Sequence, residues 1–290
     1  MPVEEVLDTT KNEVKKPLFV SSKEAQSLTG IKILYWGEFG TGKTYDACTF
    51  PGPIHILSTE FGCAPIVSQT GREDIFRLEC TDPFTEKPKR ANGEEDDEPF
   101  ATDPVESLNK VEEATEWLYQ AYKNGDIKGG TVIIDSISDI WAWLANWLDY
   151  IAKKQQSKSS GKEYMMRTEW QKANAKYKWI LMRLLALPCN LVMTARSSPV
   201  YDGQGNVTAS SKPKAQGETS YYVDVVAHLT NEVVNDVGQD GKVSGSKIVR
   251  ACTIEKCRLG DVPGDLHMKD GTYESLKEAL SDFVPKGTFL

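Results

Sequence analysis

One octapeptide constrains this 290-residue chain more than any other feature: Gly37-Glu38-Phe39-Gly40-Thr41-Gly42-Lys43-Thr44. It follows the apolar run Ile31-Lys32-Ile33-Leu34-Tyr35-Trp36, which reads as a buried strand. A helix is expected from Lys43. Strand, tight glycine turn and helix in that order build one kind of site. The glycines let the loop curl so that backbone N–H groups converge on one anion. The helix N-terminus adds partial positive charge at the same point. Such a cradle fits a polyphosphate, with Lys43 reaching the β and γ phosphates and the Thr44 hydroxyl ligating Mg²⁺.

The segments around it alternate. Strands are expected at Pro53–Ser58, Asp74–Glu79, Thr131–Ser136 and Cys189–Thr194. Leu108, Val111, Leu118 and Tyr122 fall at helical spacing. So do Ile137, Ile140, Trp141, Leu144, Leu148 and Ile151, a broad apolar stripe. The tryptophans at 141, 143, 147, 170 and 179 read as core. A further helix is expected from Arg167 to Leu187, stopped before Pro188. Residues 197–220, rich in Ser, Gly, Lys and Pro, read as a loop. Val223–Val234 and Lys247–Lys256 read as late strands joined at Gln239-Asp240-Gly241, and a short helix closes the chain near Tyr273–Phe283. This order indicates an α/β domain with a mainly parallel central sheet flanked by helices. The hairpin-like end adds antiparallel strands at the C-terminal edge. Residues 1–30 read as an N-terminal leader able to contact a neighbouring subunit, and 31–290 as the core.

The net charge is −8, which argues against coating nucleic acid by bulk charge. The charge is uneven. Residues 82–103 hold eight acids against three bases and read as a surface insertion. Residues 153–178 hold eight bases against two acids, with Tyr164, Trp170 and Tyr177 interleaved. No run approaches the ~20 apolar residues of a membrane span. The polar N-terminus is no secretory signal. The six cysteines form no CxxC pair, and with three histidines there is no zinc spacing. Reduced thiols in a cytoplasmic protein are expected.

The octapeptide matches the P-loop pattern G-x-x-x-x-G-K-[ST] at every fixed position. Residues Gly37 to Thr44, with Tyr45 after them, are the ATP-binding candidates, and ATP and Mg²⁺ the expected ligands. Asp135 closes the strand Val132-Ile133-Ile134-Asp135, where a carboxylate can hold Mg²⁺ beside the loop. The other reading of this corner is a helix cap, from Ser136 or Asp139. Glu60 follows the second strand on the ligand-facing edge and is the candidate base for the attacking water. Glu38 is expected to face solvent.

Together these features resemble the RecA-type recombinase core, and nearest in look are the short phage-borne RecA-like ATPases, the Sak-type single-strand annealing proteins. The resemblance covers roughly residues 31–260, and its individually specific motif is the P-loop. It implies a RecA-like P-loop NTPase core with Glu60 as catalytic glutamate. It implies Thr194 and Arg196 as a polar sensor that relays nucleotide state to a DNA-binding loop. It implies Lys256 and Arg258 as a basic pair reaching a neighbour's γ-phosphate; the other reading is an exposed basic edge strand. The sequence departs from the cellular recombinases in lacking their N-terminal helical DNA-binding domain. It has Phe19-Val20-Ser21-Ser22 where some relatives carry Phe-x-x-Ala.

Nucleic acid would bind where the basic residues gather: Lys153, Lys154, Lys158, Lys162 and Arg167, joined by Lys212 and Lys214 from the second loop. Trp170 and Tyr177 are read equally as core or as stacking platforms. The expected function is ATP-dependent binding of single-stranded DNA that promotes annealing or recombination, with DNA-stimulated hydrolysis at a subunit interface. Expected partners are single-stranded DNA, further copies of the chain in a ring or filament, and a single-strand-binding or replication protein, with no membrane. If the chain is phage-encoded, the host cytoplasm is its compartment. The alternative is a nucleotide-gated loader acting on a replication protein. A small-molecule phosphotransferase fits less well, since residues 197–220 carry no arginine for a lid.

Overall fold

The computed structural model describes residues 30–83, 102–155, 167–237 and 243–289. Strands β1 (Lys32–Gly37), β2 (Ile54–Ser58), β3 (Ile75–Glu79), β4 (Thr131–Asp135) and β5 (Asn190–Tyr201) alternate with helices. The helices are α1 (Lys43–Ala47), α2 (Cys63–Gln69), α3 (Pro104–Asn124), α4 (Ile137–Gln155) and α5 (Arg167–Leu185). Strand β6 (Val207–Pro213), the four-residue α6 (Thr219–Tyr222), strands β7 (Val225–Val237), β8 (Val243–Cys257) and β9 (Leu266–Met268), and α7 (Tyr273–Leu280) follow.

The sheet order is β3-β2-β4-β5-β1-β7-β8-β9, with β6 paired to β5. Neighbours from β3 to β7 run parallel, and β7-β8, β8-β9 and β5-β6 run antiparallel. The expected parallel sheet with an antiparallel C-terminal edge is therefore present. Strand β1 lies between β5 and β7, so its last residue opens into the loop at the sheet's centre.

Strand periodicity divides the core in two. Leu34 and Trp36 face one side of β1, under α3, α4 and α5. Ile33 and Tyr35 face the other, with Ala47, Phe50 and the α7 residues Leu276 and Leu280. Helix α3 starts on Asp103, whose carboxylate accepts from Val105 N at 2.9 Å and Glu106 N at 3.2 Å. It ends at Gly125, which adopts a left-handed φ of 80°. Its expected residues Leu108, Val111, Leu118 and Tyr122 are all buried. In α4, Ile140, Leu144 and Leu148 pack against Tyr177, Ile180 and Leu184 of α5. The insertion at 82–103 closes at its base, where Asp103 N donates to Asp82 O at 2.7 Å; residues 84–101 lie outside the described residues.

Two expectations change, and one open reading is decided. Residues 197–220 are not a loop: β5 runs on to Tyr201 and pairs with β6 as a hairpin, Ser198 opposite Lys212. The reason was local. Val200 and Tyr201 face Val207 and Thr208 across a turn in which Asp202 accepts from Gln204 N and Asn206 N. Tyr177 is core, not a stacking platform, with 1% exposure and its hydroxyl on Thr219. Trp179 lies at the surface, with the Arg183 guanidinium 5.2 Å from its ring centroid. All six cysteines are free, and five are buried. No helix among the described residues is long and apolar enough to cross a membrane.

Candidate active site

The P-loop leaves the end of β1 and enters α1 through two left-handed glycines, Gly40 at φ 73° and Gly42 at φ 92°. A side chain at Gly37 would collide with the carbonyl oxygen of Leu229 in β7. The loop thus packs against the neighbouring strand. Thr41 is buried beneath the loop and donates to Glu38 O at 2.9 Å. Lys43 Nζ donates to Gly37 O at 3.0 Å and Glu38 O at 2.6 Å. The lysine thereby spans the cradle. Burial lowers its pKa, partly offset by the charges of Glu60, Asp135 and Glu38. Glu38 and Phe39 are exposed, as expected for Glu38.

A cavity of about 650 Å³ opens over the loop. From the predicted set it is lined by Gly37, Glu38, Phe39, Gly40, Gly42, Lys43, Thr44, Tyr45, Glu60, Asp135, Thr194 and Arg196. They come from the end of β1, the loop after it and the start of α1, from just past β2, from the end of β4, and from β5 where its parallel pairing with β1 ends at Arg196. Parallel strands bring those ends to one edge, the usual place for ligands in such sheets.

Asp135 is 4% exposed and is held on both oxygens. Thr44 Oγ1 donates to Oδ2 at 2.9 Å, and Thr194 Oγ1 to Oδ1 at 2.5 Å. Burial raises its pKa, and the two hydroxyls counter that shift. Thr44 and Asp135 are hard oxygen donors within contact of each other. That fits Mg²⁺, which takes one or two protein oxygens and completes its shell with phosphate and water. Among the described residues no group of three or more His, Cys, Asp or Glu side chains is arranged as a metal cage. When bound, the ion would polarise the terminal phosphates.

Glu60 sits just past β2 and is bound by Arg196, whose Nε and Nη2 reach Glu60 Oε1 at 3.1 and 2.9 Å. Arg196 Nη2 also reaches Asp139 Oδ1 at 2.7 Å. Asp139 in turn accepts from Ser136 Oγ and Thr59 Oγ1, both at 3.0 Å. Burial raises the Asp139 pKa, with Arg196 opposing it. Asp135 and the two cap candidates make separate contacts. Asp135 faces Thr44, while Ser136 and Asp139 tie the start of α4 to β2 and Arg196.

The chain of contacts continues outward. Arg196 N donates to Ser138 Oγ at 2.9 Å, Ser138 Oγ donates to Lys214 O at 2.6 Å, and Lys214 N donates to Arg196 O at 2.8 Å. The base of the β5-β6 hairpin is therefore bonded to the residue that binds Glu60. Lys212 and Lys214 are exposed on this hairpin, and Tyr201 is exposed near its tip.

The other candidates lie elsewhere. Lys256 Nζ donates to the carbonyls of Ser220 and Val223, and Arg258 to that of Tyr222. Both cations thus secure the end of α6 and do not line the cavity. Lys153 and Lys154 fall in the last turns of α4 and Arg167 opens α5; their side chains lie outside the described residues. Lys158 and Lys162 are outside them altogether. Lys176 pairs with Glu112 and Lys178 with Glu218, each at 2.7 Å. Two charged residues at the site escaped the sequence reading as site residues. Asp139 offered a signal, an acid in the first turn of α4 just past Asp135, but was read only as a cap. Arg250 of β8 lines the cavity with no local motif, because only the β7-β8 pairing brings it there.

A comparison with curated proteins finds no match. The model of one protein family, described as an AAA domain, matches residues 29–251. That span contains the whole parallel sheet, the P-loop, Glu60, Asp135, Thr194 and Arg196. The chain belongs to this AAA-domain family of P-loop ATPases and is a nucleotide-dependent ATPase.

Proposed function

We propose that this ATPase couples hydrolysis to the binding of single-stranded DNA, and promotes annealing or recombination in the manner of the Sak-type proteins it resembles. One observation carries the reading. Arg196 binds Glu60 on one side and, through Ser138, the base of the Lys212/Lys214 hairpin on the other. A strand engaged by the hairpin would shift Arg196 and change how Glu60 is held.

In this reading Lys43 and the loop N–H groups hold the β and γ phosphates, with Thr44 and Asp135 as the Mg²⁺ ligands. Glu60 orients the attacking water and accepts its proton. Arg196 keeps that carboxylate placed until the γ-phosphate arrives. Lys212, Lys214 and the Lys153–Arg167 segment track phosphates, while Tyr201 offers a stacking face. Lys256 and Arg258 reach a neighbour's nucleotide after leaving the α6 carbonyls, which places hydrolysis at the interface of a ring or filament.

The test is ATPase rate with and without single-stranded DNA across a salt series. Stimulation that fades as salt rises is expected. An unchanged rate, with no salt-dependent DNA binding, rejects the coupling. The ion pairs on Lys176 and Lys178 occupy two of the basic residues of the 153–178 segment, which weighs against DNA contact there and leaves a second reading, a loader acting on a replication protein. That reading predicts weak DNA affinity and a nucleotide-dependent complex with the replication protein in a pulldown.

A further inference from the structure

We infer that Arg250 and Tyr45 form the wall of the nucleotide site that holds the nucleobase, with Asp46 anchoring the arginine. The inference rests on the ATP-site reading above and extends it to the half of the cavity that the P-loop pattern does not define.

Arg250 stands on β8 opposite Asn231 of β7. Its guanidinium presses on the P-loop so closely that a side chain at Gly42 would collide with it. It also lies 5.4 Å from the centroid of the Tyr45 ring. Both side chains line the same cavity as Lys43. With phosphates on the loop N–H groups, the rest of a nucleotide must leave along the first turn of α1. Tyr45 is the next side chain there.

The cations of the site form two separate sets. Lys43 is influenced by Glu60, Asp135, Glu38 and Arg196, whereas Arg250 acts on Asp46. Asp46 is fully buried. Its Oδ2 accepts from Gly271 N at 3.0 Å, and its Oδ1 accepts no hydrogen bond. Arg250 Nη1 approaches that oxygen at 3.5 Å, too long for a tight bidentate pair. The carboxylate holds the guanidinium by charge and leaves its flat face available. A planar guanidinium beside an aromatic ring is a stacking surface for a base.

The experiment compares affinity for ATP and for inorganic tripolyphosphate, both with Mg²⁺, in the full chain. Arg250→Ala and Tyr45→Ala should each weaken ATP roughly 10- to 100-fold, the range of one lost base stack, and leave tripolyphosphate within about twofold. KM for ATP should rise with little change in kcat. Arg250→Lys keeps the charge opposite Asp46 but loses the planar face, so it too should weaken ATP selectively. It carries the test if thermal unfolding shows that the alanine variant does not fold. Equal loss for both ligands, or loss for neither, overturns the assignment. Lys43→Ala should weaken both ligands; if it weakens neither, the ATP-site reading itself fails.

Discussion

At the scale of single residues, the site works by controlling carboxylates. Glu60 is exposed enough to meet water yet is oriented by two bonds from Arg196. Replacing it with glutamine keeps its size and removes the base. We expect kcat to fall by roughly 10²- to 10⁴-fold, with ATP affinity nearly unchanged. A variant that retains its turnover excludes Glu60 as the base. Its ion pair with Arg196 is half in solvent, so little stability should be lost. Asp46 behaves differently. Burial pushes its pKa from 3.8 up to about 6, with Gly271 N–H and Arg250 only partly opposing. A raised folded-state pKa means that protonation favours the fold. The stabilisation is complete below the unfolded value near 3.8 and is lost as pH rises through about 6. Asp46→Asn removes this dependence. The stability difference between wild type and variant should therefore shift by roughly 2 kcal/mol between pH 4 and pH 7, in favour of wild type at pH 4. Denaturant unfolding at the two pH values measures it, and a constant difference would show that Asp46 does not titrate in this window. Lys43, Thr44 and Asp135 were legible in the sequence because the loop and the strand end each have a fixed local grammar. Arg250 was not, since no pattern near it distinguishes it from other strand cations.

Secondary-structure elements decide what the site is connected to. The β5-β6 hairpin is an outgrowth of the same strand that carries Thr194 and Arg196. Thr194, Arg196 and the hairpin surface are thus one continuous backbone, braced by Ser138 of α4. If Lys212 and Lys214 contact phosphates of a single strand, each contributes about 0.7 to the slope of log affinity against log salt. The double alanine variant should therefore lower that slope by about 1.4, and binding titrations at several salt concentrations read it. An unchanged slope removes the hairpin from the DNA path. The hairpin was misread as a loop because its Ser, Gly, Lys and Pro content resembles a linker. Its strands project beyond the layered core, where alternation of apolar residues is not required. Helices α3 and α4 were legible because their buried faces demand helical spacing.

For the whole molecule, the net charge of −8 is the sum of unlike parts, with the acids of 82–103 set against the bases of 153–178. Lys256 and Arg258, held by the carbonyls of α6, set the assembly question. If they serve a neighbour's nucleotide, specific ATPase activity should rise with protein concentration. The double alanine variant should flatten that rise and keep ATP binding. Turnover in the variant that still climbs with concentration rejects the trans role. The sequence by itself determined the P-loop, the strand-ending Asp135, the parallel α/β order and the antiparallel C-terminal edge. Each of these is written in short-range spacing: a loop that must curl, a strand buried on both faces, a helix with one apolar face. Only the tertiary structure decided that Arg196 joins Glu60 to Asp139, that Tyr177 is core, and that Arg250 reaches the loop from 208 residues beyond Gly42. Those facts depend on which strands lie side by side. Strand order is a property of the packed sheet, where distant segments meet to bury their apolar faces, and no local run of residues encodes it.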